Sequence, residues 1–307
     1  MGWKGANIDC LTDNPADTIN QLNELHAQGG KLIRWQFVNN PRWMAEWSIA
    51  EFRQWLENRL WVLDQTIPTA IANQQPIIID FHHAIGGLKN RKWPLFYRAD
   101  LQKEFKNILG YVAARYANNP AIFAIEFINE PFPRKNSQLT KLYQEWTEHV
   151  RASGWNKYVV VGHKTADCDN MADLQIVYLP KMNPANRREK RIPDPAVYYS
   201  FHDYKPSAVL DPRSNPFIIS DARIESWLRY PLRFARKYPF AKILVGEFGC
   251  LAAAGKGAVQ EEWVYEKIDF YNRNNWDWLW LGKGIHPPAI FDVKPSQFEN
   301  MFRTFRR

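Results

Sequence analysis

Apolar positions along the chain gather into short runs that recur from the amino terminus to about residue 281. The runs are rich in aliphatic, β-branched and aromatic residues, a pattern typical of parallel strands that are buried on both faces. The pattern predicts eight strands, at Ala6–Asp9, Leu32–Phe37, Pro76–His82, Ile122–Ile128, Lys157–Val161, Ala196–Phe201, Ile243–Glu247 and Trp276–Leu281.

Amphipathic segments lie between most of these runs. Asn14 is a favourable N-cap for the first segment, and Ser48 with Glu51 predicts a capping box at the start of the second. The spacing predicts helices at Pro15–His26, Ser48–Ile67, Asp100–Tyr116, Gln138–Ser153, Ala222–Tyr238 and Gln260–Arg273.

Eight strands that alternate with helices favour an α/β fold, a single (β/α)8 TIM barrel in which residues 1–307 form one domain. The alternative is a doubly wound sheet. That fold usually has a Gly-rich phosphate-binding turn after its first strand, and the segment 10–14 is not such a turn.

Composition narrows the classes of function. No apolar run approaches about 18 residues, so we expect no membrane span. The net charge is +8, but the basic residues are scattered apart from the run 187–191, so we expect no nucleic-acid partner. The chain has 14 Trp, 13 Tyr and 18 Phe. Aromatic rings stack on sugars as well as fill cores, so a carbohydrate ligand and ordinary packing both remain open.

Polar and ionisable side chains cluster where the predicted strands end. In a TIM barrel these carboxyl ends form the face that carries catalysis. The side chains are Arg34 on the second strand, Asp80, His82 and His83 on the third, Asn129 and Glu130 on the fourth, His202 and Tyr204 on the sixth, Glu247 on the seventh, and Trp276, Trp278 and Trp280 on the eighth.

Two glutamates, Glu130 and Glu247, follow opposing strands. Cleavage of a glycosidic bond needs one carboxyl group as proton donor and one carboxylate that faces the anomeric carbon. An arginine close to one glutamate lowers the pKa of that carboxyl, and Arg34 is a candidate partner for Glu247.

The sequence around these residues resembles the retaining (β/α)8 glycoside hydrolases of clan A, and within that clan glycoside hydrolase family 5, the cellulase family. The segments 80–82, 125–131, 199–204 and 245–249 match that family's motifs on the expected strands. The resemblance extends from Gly5 to about Leu281, which is nearly the whole chain.

The resemblance implies a role for each matching residue. Glu130 matches the general acid/base, and Glu247 matches the nucleophile that forms a covalent glycosyl-enzyme. Asn129 matches the residue that hydrogen-bonds the sugar 2-hydroxyl, and Arg34 matches the arginine that orients the nucleophile.

The same resemblance implies supporting residues. His82 matches the histidine of strand three, His202 the histidine near the acid/base, and Tyr204 the tyrosine that touches the nucleophile. A strand-eight tryptophan is implied as a sugar platform, with Trp280 preferred over Trp278. We leave open whether His83 binds substrate or supports its neighbours, and we expect Glu126 to be structural.

The implied activity is that of a retaining, endo-acting β-glycoside hydrolase. Endo-β-1,4-glucanase is the first choice, and β-mannanase or another β-glycanase of the family is the alternative. A non-catalytic carbohydrate-binding barrel is disfavoured because both carboxylates are present. A metal-dependent hydrolase barrel is disfavoured because the strand ends lack a convergent set of His and Asp ligands.

We therefore expect no cofactor and no metal, a β-linked polysaccharide or oligosaccharide as partner, no membrane partner and a monomer. No apolar signal-peptide region precedes the first strand. Because such enzymes act on polymers outside the cell, we expect a secreted or periplasmic protein whose signal is absent from this chain, with a cytoplasmic location as the alternative.

Overall fold

The computed structural model describes residues 3–9, 13–89, 92–167, 171, 174–178, 192–206, 220–249 and 257–281. Eight strands lie in these residues: β1 Lys4–Asp9, β2 Leu32–Gln36, β3 Ile77–Asp80, β4 Ile122–Glu126, β5 Tyr158–Asp167, β6 Val197–Asp203, β7 Lys242–Phe248 and β8 Asp277–Trp280. They pair in parallel in chain order, and β8 pairs with β1 to close the barrel. The predicted TIM barrel is confirmed.

The helices of the described residues form an outer layer. They are α1 Pro15–Ala27, α2 Pro41–Met44, α3 Ile49–Ala72, α4 Ala99–Tyr116, α5 Asn136–Ala152, α6 Asp221–Trp227, α7 Arg229–Lys237 and α8 Gly257–Arg273, with a 3₁₀ turn at Pro94–Phe96. Asn14 caps α1, and Ser48 with Glu51 forms the capping box of α3, as predicted. No helix among the described residues is both long enough and apolar enough to cross a membrane.

Two helices differ from the sequence prediction. The helix α3 continues past Ile67 through Pro68, because Ile67 and Ala70 extend its buried face. The predicted helix Ala222–Tyr238 is two helices that meet at Leu228. Pro231 has no backbone N–H to donate to the carbonyl of residue 227, so the helical ladder is interrupted there.

Apolar side chains fill the barrel interior in one layer. The layer consists of Leu32, Ile78, Ala124, Val160, Tyr198, Leu244 and Leu279. Successive inward positions of a strand are two residues apart, so the next inward layer lies toward the carboxyl ends. On β2, β3, β4 and β6 that layer is polar and buried: Arg34, Asp80, Glu126 and Ser200. The apolar layer thus supports a polar layer at the carboxyl-terminal face.

Candidate active site

The guanidinium of Arg34 lies fully buried at the centre of the polar layer. Its Nε and Nη2 atoms donate to the two carboxylate oxygens of Glu126 at 2.6 and 3.0 Å, a bidentate pair. Its Nη1 atom donates to Glu247 Oε1 at 2.7 Å and to Asn7 Oδ1 at 2.9 Å. Burial alone would lower the pKa of Arg34, but the neighbouring carboxylates raise it well above its ordinary value, so the group stays charged.

Glu247 lies near the end of β7, and partners hold both of its oxygens. Arg34 contacts Oε1, the hydroxyl of Tyr204 donates to Oε2 at 2.8 Å, and Nδ1 of His202 lies 3.3 Å from Oε2. Burial would raise the pKa of Glu247, but the charges of His202, Arg34 and His82 and the Tyr204 hydrogen bond lower it to about 2. Glu247 is therefore an oriented, ionised carboxylate.

Glu130 lies opposite Glu247, in the turn that follows β4. Its side chain is 45% exposed, and its Oε1 atom lies 3.0 Å from Nδ1 of His202. The backbone of Glu130 has φ of 39°, an uncommon value for a residue with a side chain and one that often occurs at functional sites. One carboxylate oxygen of Glu130, one of Glu247 and a ring nitrogen of His202 all lie within 4.8 Å of one another.

His202 connects the two glutamates. Burial would lower the pKa of His202, but the charge of Glu247 and the hydrogen bond and charge of Glu130 raise it. The ring therefore favours its protonated form between two acidic groups.

His82 and Asn129 border the other side of Arg34. Nη2 of Arg34 donates to Asn129 Oδ1 at 2.9 Å and lies 3.0 Å from Asp80 Oδ2. His82 Nδ1 contacts the same Asp80 oxygen at 2.8 Å, and the Asn129 amide nitrogen lies 3.3 Å from His82 Nε2. The Asn129 amide can donate to Nε2 only when that nitrogen carries no proton, so the tautomer of His82 sets the direction of this contact. Burial raises the pKa of Asp80 to about 7, although Arg34 opposes this shift.

His83 lies beside His82, with ring centroids 5.2 Å apart. Its ring stacks on Trp93 at 5.8 Å, and its Nδ1 atom accepts a hydrogen bond from the backbone of Asn39 at 3.3 Å. Both neighbours lie on segments that follow strand ends, so His83 is at the border of the polar layer and outside the Arg34 network.

The strand-eight tryptophans occupy a different place from the one expected. Trp276, Trp278 and Trp280 share one face of β8, but this face points to the helices and belongs to the outer core. Trp278 and Trp280 are 0% and 1% exposed, and both pack edge-on against Phe248, at 5.5 and 5.2 Å. A sugar platform at Trp280 or Trp278 stays a prediction that this packing disfavours, since an indole must be uncovered before it can stack on a sugar.

Sequence reasoning missed Asn7 on β1. Its amide donates to the backbone oxygens of Gly246 and Trp280 at 3.1 Å each, while its Oδ1 accepts from Arg34. Asn7 thereby joins β7, β8 and β2. The available signal was a polar residue at an inward position of a buried strand.

Glu126, which we expected to be structural, forms the bidentate pair with Arg34. Gly246 was also missed. A Cβ atom at this position would lie 2.5 Å from Ser200 Oγ and 3.3 Å from His202 Nε2. Only glycine leaves both side chains in place.

Glu130, His202 and Glu247 are also donor types that bind metal ions. A cation at their centre would compete with the proton that His202 shares with both glutamates. It would also be repelled by Arg34, whose Nη1 lies 2.7 Å from Glu247. The arrangement is better suited to proton transfer than to holding a metal.

Comparisons with known proteins give a family and a fold. The model of the cellulase family, glycosyl hydrolase family 5, matches residues 1–282. No curated protein matches the sequence significantly.

Solved structures of similar fold cover nearly all of this chain. Cellulose synthase subunit Z from Clostridioides difficile has a TM-score of 0.70 and 16% identity, over 98% of this chain and 99% of that one. Endoglucanase Cel5A from Thermotoga maritima has a TM-score of 0.70 and 13% identity, over 99% and 96%. A trimodular endo-β-1,4-glucanase from Bacillus licheniformis has a TM-score of 0.73 and 15% identity, over 99% of this chain and 59% of that one. At these identities the likeness shows a shared fold.

Proposed function

Because the chain belongs to glycosyl hydrolase family 5, the cellulase family, we propose that it hydrolyses β-linked polysaccharides with retention of configuration at the anomeric carbon. Glycoside hydrolase activity follows from membership of the family. The finer proposal is an endo-acting β-1,4-glucanase that uses Glu247 as nucleophile and Glu130 as general acid/base.

The separation of the two glutamates is the observation that carries this proposal. Retaining enzymes place their two carboxyl groups about 5–5.5 Å apart, whereas inverting enzymes need about 6.5–9.5 Å to fit a water molecule. A carboxylate oxygen of Glu130 lies within 4.8 Å of one of Glu247. This upper limit for one pair of carboxylate oxygens is shorter than the range for inverting enzymes and supports direct attack by a carboxylate on the sugar.

Glu247 has the properties that the first step requires. Its pKa of about 2 keeps it ionised, and Arg34 and Tyr204 hold one oxygen each. A Glu247 oxygen attacks the anomeric carbon as the bond to the leaving oxygen breaks, and the proton of Glu130 passes to that oxygen. The product of this step is a covalent glycosyl-enzyme and a shortened polymer.

Glu130 then acts as a base. Its half-exposed carboxylate accepts a proton from a water molecule, and the oxygen of that water attacks the anomeric carbon and displaces Glu247. His202 contacts both glutamates, and its raised pKa keeps a positive charge between them while the proton moves.

A β-1,4-glucan is the substrate we propose first, and β-mannan is the second candidate. Support for glucan comes from similar structures that are named endoglucanases. We also propose that the protein is a monomer that acts in a secreted or periplasmic location. Size-exclusion chromatography and cell fractionation test these two points.

A reducing-sugar assay on carboxymethyl cellulose, barley β-glucan, glucomannan, galactomannan, xylan and chitosan tests the activity. We expect release of sugar from the glucans and its near-complete loss in Glu247→Gln. Turnover by Glu247→Gln at the wild-type rate would refute the nucleophile assignment. If the wild type releases no sugar from any substrate of the panel, a barrel that only binds carbohydrate is favoured.

Azide trapping on an activated aryl glycoside assigns the two roles. In Glu130→Ala, azide should replace water in the second step and give the β-glycosyl azide. In Glu247→Ala, azide should occupy the emptied position and give the α-glycosyl azide. The opposite pair of products would show that Glu130 is the nucleophile and Glu247 the acid/base.

A further inference from the structure

A buried ion pair lies directly behind the active-site end of β6. Lys267 Nζ is 2.6 Å from Asp203 Oδ2, and both side chains are 0% exposed. The hydroxyl of Tyr271 donates to the same oxygen at 2.6 Å, and Asp203 Oδ1 accepts from the backbone N–H of Lys205 at 3.1 Å. An ion pair of this kind adds little net stability compared with apolar packing, so a role in fixing geometry is worth testing.

The partners of this segment lie on one stripe of α8. Trp263, Lys267 and Tyr271 are spaced four residues apart and so share a helix face. Trp263 Nε1 donates to the backbone oxygen of Lys205 at 2.9 Å. Lys267 Nζ also lies over the rings of Trp227 and Trp263, at 5.2 and 5.6 Å. The stripe therefore holds residues 203–205 at both ends.

The held segment carries an active-site group between its two attachment points. Tyr204 lies between Asp203 and Lys205, and its hydroxyl donates to Glu247 Oε2 at 2.8 Å. His202 precedes it and contacts both glutamates. The register between β6 and β7 shifts just before His202, so regular strand pairing alone does not fix this end of β6.

We propose that Lys267 and Tyr271 are positioning residues that act through Asp203 to hold the Tyr204 hydroxyl against Glu247. The proposal rests on the proposed function for the roles of Tyr204 and Glu247. The cluster itself touches no substrate.

The main test is the double variant Asp203→Asn/Lys267→Met, which removes both buried charges together. We expect kcat to fall by about 10–100-fold with KM within about 3-fold, because a displaced catalytic contact affects the transition state more than binding. Tyr271→Phe removes one hydrogen bond, and we expect a smaller loss of kcat in the same direction. This milder variant keeps the test decisive if the double variant does not fold.

The acid limb of the kcat/KM pH profile separates positioning from loss of structure. The charged or titratable groups that face Glu247 are Arg34, His82, Asp80, Glu130, His202 and Tyr204. All of them stay in these variants. A weaker Tyr204 hydrogen bond should move the limb to higher pH. Activity at each pH is divided by the folded fraction at that pH, so that acid unfolding does not imitate this shift.

The matched control is Asp194→Asn, near the opposite end of β6. Asp194 is buried, forms an ion pair with the partly buried Arg151 at 3.0 Å and accepts from the backbone of Ala196 at 2.9 Å. We expect Asp194→Asn to lower the melting temperature while leaving the acid limb in place.

A double-mutant cycle with Tyr204→Phe gives the decisive result. If the cluster acts through Tyr204, adding Asp203→Asn/Lys267→Met to Tyr204→Phe should cost little further kcat. If Asp203→Asn/Lys267→Met lowers kcat by the same factor with and without the Tyr204 hydroxyl, the proposal is overturned.

A carbon-13 NMR titration of the glutamate carboxyls, assigned with Glu247→Gln, measures the same coupling without substrate. A higher pKa of Glu247 in the double variant, with no such change in Asp194→Asn, supports the proposal. An unchanged pKa of Glu247 in the double variant overturns it. Inactivity of the wild type on every β-glycan would refute the proposed function instead.

Discussion

Tyr204→Phe removes one hydrogen bond from the ionised form of Glu247 and leaves the ring in place. A hydrogen bond to a charged group contributes about 1.5–3 kcal/mol, and one pKa unit corresponds to about 1.4 kcal/mol. Loss of the hydroxyl should therefore raise the pKa of Glu247 by about 1–2 units, from about 2 to about 3–4. Because the nucleophile must be ionised, the acid limb of activity should move upward by the same amount.

The measurement is kcat/KM against pH on an activated aryl β-cellobioside, since this ratio reports ionisation in the free enzyme. Circular dichroism of each sample at the assay pH checks that the protein is still folded there. Tyr199→Phe is the control, because Tyr199 lies on β6 shortly before Tyr204 but its hydroxyl accepts from the backbone of Val177 at 3.0 Å. An acid limb that stays in place in Tyr204→Phe would refute the reasoning, even if activity fell.

Three further changes test the same network. Arg34→Lys keeps a charge but loses the planar set of donors, so we expect kcat/KM to fall by about 100-fold and the melting temperature to drop. Unchanged kinetics would contradict the central place of the guanidinium. Gly246→Ala should cost about 1–3 kcal/mol of stability and displace His202, and a partial recovery of activity with Ser200→Ala is expected because the 2.5 Å clash with Ser200 is removed. The depressed pKa of Glu247, about 2 against an ordinary 4.5, contributes about 3 kcal/mol above pH 4.5 that is lost as pH falls through about 2. Chemical denaturation at several pH values should show this loss in the wild type but not in Glu247→Gln.

The sequence predicts the barrel because every strand carries its own apolar run and every predicted helix has apolar residues at helical spacing. The caps at Asn14 and Ser48 needed only local information, and both are present. The strand ends were harder. The apolar runs continue past Asp80 and Glu126, where β3 and β4 end, because Phe81 and Phe127 pack in the outer core after leaving the sheet.

The face of a buried strand cannot be deduced from its composition. Trp276, Trp278 and Trp280 alternate along the segment that contains β8 and share a face, but the other face carries the apolar Leu279 beside Asp277. The pattern therefore does not distinguish barrel interior from outer core. The opposite holds where one face is polar. Asn7 and Glu126 break apolar runs at inward positions, and that interruption was the signal for the Arg34 network.

The charge of that network explains why one carboxylate is singled out. Asp80, Glu126 and Glu247 are buried around the single guanidinium of Arg34, and one cation cannot ionise three desolvated acids. Burial raises the pKa of Asp80 and of Glu126, even though both contact Arg34. Glu247 alone of the three also receives the Tyr204 hydroxyl and a ring nitrogen of His202, so its pKa falls. Both distinguishing groups lie at the end of β6 or directly after it, so the proposed role of the contacts between this segment and α8 bears on the ionised state of Glu247, the proposed nucleophile.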